Sequence, residues 1–200
     1  MTEPSDPASR LRAIRDRLTA AAERAGRRPG DVHLLAVSKT FPAEAVRALA
    51  DAGQGAFAES YAQEAVDKQD ATADLALEWH FIGPIQSNKA KLVAPRFALV
   101  HSVDRLKIAR ALDRNRGDGP PLDVCLQVNI SGEAAKSGCA PGELPALAAA
   151  VANECTRLRL RGLMAIPAPG TDAEATRPAF RHLRELLEQL RAEGPPAPWD

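Results

Sequence analysis

Only six of the 26 basic residues in this chain are lysines. Arginine therefore supplies most of the positive charge, and a lysine in a special place invites a chemical reason. Lys39 follows the apolar run Val32–Ser38 (VHLLAVS). A lysine at the end of an apolar strand is partly desolvated, which lowers its pKa and frees the amine as a nucleophile. Such amines form Schiff bases with carbonyl compounds. The alternative is a lysine that snorkels from the strand end into water, and position alone does not separate the two. Ile82–Lys91 (IGPIQSNKAK) is a second feature. Gly83-Pro84 makes a tight turn, and Gln86, Ser87 and Asn88 stand at a helix start, where anions are favoured. Taken alone, this segment is better read as a loop with an N-cap. In Ser131–Gly138 (SGEAAKSG), Gly132 and Gly138 flank Lys136, in a mobile lid, a second anion contact or simply a solvated loop. His80 reads as a satisfied core histidine, and no two histidines have metal-ligand spacing, so no metal is expected.

These residues need elements to position them. Ser9–Arg24 has apolar residues at helical spacing, with Gly26 as its stop. Val32–Ser38 reads as a strand buried on both faces of a parallel sheet. Strand and helix signals then alternate. Strands are expected at Gly55–Glu59, Glu78–Ile82, Phe97–His101, Leu122–Ile130 and Leu158–Ala165. Helices are expected from Pro42, from Tyr61, from a Ser87 cap, from an Asp104 cap, over Glu143–Glu154, and from Thr176 or Arg177. Serial strand–helix units mean a parallel α/β architecture. No glycine-rich nucleotide turn follows the first strand, which favours a closed (β/α)8 TIM-type barrel over an open doubly wound sheet. In a barrel the reactive mouth lies at the strand ends. Here those ends bring Lys39, Glu59 with Ser60, Gly83, His101 with Ser102, Asn129, and Met164.

Composition removes several alternatives. The chain has 200 residues, 45% hydrophobic and 26% charged, with 26 basic against 26 acidic residues. That is enough for a real core and is not the composition of a disordered chain. Zero net charge argues against nucleic acid or an anionic membrane as partner. No run approaches the ~18 apolar residues of a membrane span, and Met1–Arg10 lacks the features of a signal peptide. Cys125, Cys139 and Cys155 are odd in number and widely spaced, which fits reduced thiols in the cytoplasm rather than disulfides or a zinc site. Cys125 lies in an apolar run and reads as core.

Six blocks carry a resemblance: Leu34–Pro42 (LLAVSKTFP), Phe57–Lys68 (FAESYAQEAVDK), Glu78–Lys91 (EWHFIGPIQSNKAK), His101–Leu106 (HSVDRL), Val128–Gly138 (VNISGEAAKSG) and Arg161–Pro167 (RGLMAIP). Together they resemble the pyridoxal phosphate homeostasis protein family, whose fold is the alanine racemase N-terminal-like barrel. The resemblance implies a protein that holds pyridoxal 5'-phosphate (PLP) as a Schiff base on Lys39; beside it, a cytoplasmic location and a monomer are expected. It also implies a part in vitamin B6 homeostasis without robust turnover, with PLP-requiring apoenzymes as recipients. Ser60, His80, Asn129 and Met164 are the further cofactor contacts it implies. Gly83, Gln86, Ser87 and Asn88 form its third-strand motif, and Lys136 is its lysine of the loop after the fifth strand.

Two departures stand out. Ala58-Glu59-Ser60-Tyr61 replaces the family's Gly-Glu-Asn-Tyr. Ser60 is shorter than asparagine and offers fewer hydrogen bonds, so a weaker or water-mediated ring contact is expected. Nothing after Arg191 resembles the family's last two strands, which carry the phosphate cup. The expectation is therefore one PLP-binding barrel domain over residues 1–200, with about six of eight strands and an incomplete C-terminus. The alternative is a PLP-dependent amino-acid racemase-like enzyme of similar fold. It needs a second acid/base group, for which Tyr61 and His80 are the local candidates.

Overall fold

The computed structural model describes residues 6–133, 136–168 and 173–199. The chain divides into two compact units, one ending at Trp79 and the other beginning at His80.

In the first unit α1 (Pro7–Arg24) leads through a 3-10 turn to β1 (Ala36–Val37), α2 (Ala43–Asp51), β2 (Ala56–Glu59) and α3 (Ala62–Ala71). Strands β1 and β2 pair in parallel, with Ala36 opposite Phe57 and Val37 opposite Ala58. Pro42 stands at the N-terminal boundary of α2 as expected, and Gly26 ends α1 with a φ of +67°. Leu11, Ala22, Val46, Phe57, Ala58 and Ala65 form the core. β1 is shorter than its apolar run predicts, and Val37 is 47% exposed, so the strand is not buried on both faces. One cause lies in Gln54, a buried amide that donates to Leu34 O and Ala56 O, both at 2.8 Å. The Leu34 carbonyl is thus satisfied by a side chain instead of a ladder.

β3 (Glu78–Phe81) opens in the first unit, where Glu78 N donates to Gly55 O at 2.8 Å. It continues into the second unit, which adds a short α4 (Ala90–Val93), β4 (Leu99–Val103), α5 (Leu106–Asn115), β5 (Leu122–Gln127), α6 (Leu144–Glu154), β6 (Leu158–Met164) and α7 (Ala173–Glu193). There β3 pairs with β4, β4 with β5 and β5 with β6, all in parallel. Parallel neighbours need a crossover, and α5 and α6 are two of these. Ile108, Ala109 and Leu112 of α5 are fully buried, as are Leu122, Val124 and Leu126 of β5. Each large apolar side chain so buried is worth roughly 1.5–3 kcal/mol.

Several boundaries differ from expectation. Ser87 is the first residue of a 3-10 turn, Ser87–Lys89, and caps no helix. Asp104 is not the α5 cap. Its carboxylate pairs with Arg105, the residue at that boundary. His101 lies inside β4, which runs on to Val103. β5 stops at Gln127, and Val128 makes an isolated bridge to Cys139. α7 starts before Thr176 and carries Pro178 in its second turn, where the missing proline N–H removes a single helical hydrogen bond. The three cysteines are unpaired and buried, and burial raises their thiol pKa values to about 12 for Cys125 and about 11 for Cys139 and Cys155. Among the described residues no helix is long and apolar enough to cross a membrane, and no group of three metal-ligating side chains is present.

Candidate functional site

In the first unit, the parallel ladder ends where Ser38 N donates to Ala58 O at 3.0 Å. Lys39 and Ser60 therefore leave adjacent strand ends. Phe41 N donates back to Ser38 O at 3.0 Å, closing a four-residue turn with Lys39 and Thr40 at its centre. Thr40 has a φ of +67°. A positive φ at the third position of a turn is usually met by glycine, and a β-branched residue there is strained. Lys39 is exposed, and its amine has no hydrogen-bond or ion-pair partner among the described residues. The partial burial expected of it is absent, because β1 is short and its end is open.

The buried lysine is instead Lys68 on α3, which sequence reasoning missed. Its ammonium is 2.6 Å from Glu59 Oε1, 2.6 Å from Glu64 Oε1 and 2.6 Å from Ser38 O. Glu59 is fully buried at the end of β2 and also accepts Ser38 Oγ–H at 2.8 Å. Its Oε2 is buried with no hydrogen-bond partner among the described residues. Glu64 accepts the Thr40 N–H at 2.7 Å. The Lys68 ammonium and the Thr40 amide together hold the Glu64 carboxyl below the usual carboxylate range. Glu64 and Lys68 are four residues apart and read as an ordinary solvated helix pair. The one available signal was the scarcity of lysine, the same signal that singled out Lys39.

In the second unit His80 Nδ1 and His101 Nε2 lie 2.9 Å apart, with the rings stacked at 5.1 Å between centroids. One ring must donate and the other accept. Burial, aided by the His80 charge, lowers the His101 pKa to about 4. His80 is thus a half-buried, partnered histidine. Ser102 is buried and donates to Gly83 O at 2.5 Å, fixing the Gly83-Pro84 turn. Gln86 and Asn88 are exposed.

Met164 closes β6 opposite Gln127, and Val128 N donates to Met164 O at 2.9 Å, so Asn129 and Met164 leave neighbouring strand ends. The Asn129 side-chain amide donates to Glu133 O at 2.9 Å and Lys136 O at 3.4 Å. It therefore shapes the loop that carries Lys136. Residues 134 and 135 of that loop lie outside the described residues, and with them the lid reading of Ser131–Gly138. Gly138 has a φ of +126°, and a Cβ there would stand 2.4 Å from Asn129 N. Only glycine permits this closeness, which lets Cys139 O accept from Asn129 N and Cys139 N donate to Gln127 O at the end of β5, both at 2.9 Å. Ile82, Pro84, Gln127, Lys136, Ser137 and Ile166 line a cavity of about 140 Å³. The Lys136 ammonium has Glu133 as its ion-pair partner at 3.0 Å.

Comparison with known proteins identifies the fold and the family. The family described as "Alanine racemase, N-terminal domain" matches residues 9–199. The pyridoxal phosphate homeostasis protein of Pseudomonas aeruginosa is 58% identical over 184 residues, covering 92% of this chain and 80% of that protein. Its Escherichia coli counterpart is 54% identical over 172 residues, covering 84% and 73%. Among solved structures, PipY of Synechococcus elongatus with PLP bound is 35% identical, covering 91% of this chain and 85% of that one, with a TM-score of 0.75. Alanine racemase from Corynebacterium glutamicum shares the fold at 18% identity, with a TM-score of 0.68, covering 94% of this chain and 53% of that one. The fold class is thus that of the (β/α) barrel of alanine racemase N-terminal domains, and the chain belongs to the pyridoxal phosphate homeostasis protein family.

Proposed function

We propose that this protein binds pyridoxal phosphate through Lys39 and serves intracellular vitamin B6 homeostasis, holding the cofactor rather than turning over a substrate. The observation that carries this reading is the Lys39 amine. It is exposed and without a partner among the described residues, on a turn whose backbone is tied on both sides of it. A primary amine so presented suits a carbonyl ligand, whereas the other lysine of this unit is committed to Glu59 and Glu64. When bound, the cofactor supplies an aldehyde that takes up a primary amine reversibly, and an electron-withdrawing ring.

The chain's own residues divide the remaining work. Lys39 provides the attachment point. Ser60, leaving the next strand end, offers a hydroxyl. His80 and Met164 are further contacts, and Asn129 contributes by holding the Lys136 loop. The carrier reading is favoured over a racemase-like enzyme by the state of the two acid/base candidates. Tyr61 is 58% exposed, and His80 already shares a hydrogen bond with His101. PLP-requiring apoenzymes in the cytoplasm are the recipients in this reading, and the chain acts as a monomer.

The test is to add PLP to the purified protein, follow the visible absorbance, reduce with borohydride and locate the pyridoxyl group by mass spectrometry. The expected result is modification at Lys39 that disappears in Lys39→Ala. Equal labelling of several lysines, unchanged in the variant, overturns the reading. Racemisation of alanine or serine above the Lys39→Ala background would favour the enzyme instead.

A further inference from the structure

We infer that Glu64, seated by the buried Lys68, is a positioning residue for Lys39. This rests on the reading of Lys39 as the cofactor attachment point. Three contacts fix the backbone on both sides of Lys39. Before it, the Ser38 carbonyl accepts from the Lys68 ammonium at 2.6 Å, and the Ser38 hydroxyl donates to Glu59 at 2.8 Å. After it, the Thr40 N–H donates to Glu64 at 2.7 Å. Lys68 joins the two sides, since it bridges both carboxylates. Thr40 adopts a φ of +67°, which a threonine leaves readily unless something holds it. Glu64 is the group that holds it. A long, flexible lysine is a poor device for presenting an amine in one direction, because rotamer freedom must be lost on binding. Fixing its Cα removes the backbone share of that loss before the ligand arrives.

Glu64 is the residue to vary. Lys68→Met would strand the Glu59 carboxylate in the core and endanger folding, whereas Glu64 is 30% exposed. Three variants are compared with wild type: Glu64→Ala, Glu64→Gln, whose amide oxygen still accepts the Thr40 N–H, and Glu64→Ala with Thr40→Gly, which takes a positive φ without strain. Two readouts are made on each folded protein. The first is amide hydrogen exchange at Thr40, which needs no cofactor. The second is the yield of borohydride-trapped pyridoxyl group at Lys39 relative to the other five lysines, at subsaturating PLP.

Loss of one charge-assisted hydrogen bond corresponds to about a tenfold effect. Glu64→Ala is therefore expected to speed Thr40 exchange and to lower selectivity for Lys39 by about that factor. Glu64→Gln should stay within about twofold of wild type, and adding Thr40→Gly to Glu64→Ala should recover much of the selectivity while exchange of the amide at position 40, still without its acceptor, stays fast. Unchanged exchange in Glu64→Ala, or unchanged selectivity despite faster exchange, overturns the positioning role. Wild-type protein with no Lys39 adduct overturns the attachment reading instead, and the exchange readout still decides whether Glu64 holds the turn.

Discussion

Lys39 and Lys68 show how far a lysine's chemistry depends on its surroundings. Lys39 carries its amine into open surroundings beyond a two-residue strand. Lys68, on a helix that looks solvated in sequence, is the buried one. Its cluster also responds to acid in a defined direction. The Glu64 carboxyl titrates below its ordinary range, so its contribution is present above the unfolded value and is lost as pH falls through the folded one. The histidine pair gives a sharper prediction. His101 has a folded pKa of about 4 against 6.5 ordinarily, chiefly because it is buried. Between these values the unfolded chain binds more protons, so stability falls as pH drops from 6.5 toward 4, by about 3 kcal/mol in all. Urea unfolding of wild type and His101→Gln across that range should show the variant with a shallower decline; parallel curves would refute the assignment.

At the scale of elements, the loop after β5 is decided by one glycine. Gly138 brings its backbone against Val128 and Asn129, and a Cβ would meet both. Gly138→Ala should cost about 2–4 kcal/mol, since a backbone clash adds to an unfavourable φ. Gly132 also has a positive φ, yet a Cβ there meets nothing within 4 Å, so Gly132→Ala should cost only about 1 kcal/mol. Urea midpoints of the two variants measure the difference. The same loop also engages Asn129. Its side chain is spent on Glu133 and Lys136 carbonyls, which no reading of strand ends could reveal. The shortness of β1 has a similar origin, because Gln54 satisfies Leu34 from outside the ladder.

For the whole molecule, balanced charge is the governing quantity. Basic and acidic residues are equal in number, and the isoelectric point is about 6.9. Self-repulsion is then weakest near neutrality, so solubility should pass through a minimum near pH 6.9 and rise on either side. Polyethylene glycol precipitation midpoints from pH 5 to 9 test this, and a monotonic trend would contradict it. The sequence by itself determined the alternation of strands and helices and the family, and marked Lys39 as the candidate attachment point, because apolar periodicity and short motifs are local properties of the chain. Only the tertiary structure decided that Lys68 is buried, that Glu59 and Glu64 bracket the Lys39 turn, that His80 is paired with His101, and that β1 ends after two residues. Each of these depends on which groups from distant positions meet, and on how much water their meeting excludes, which no local pattern records.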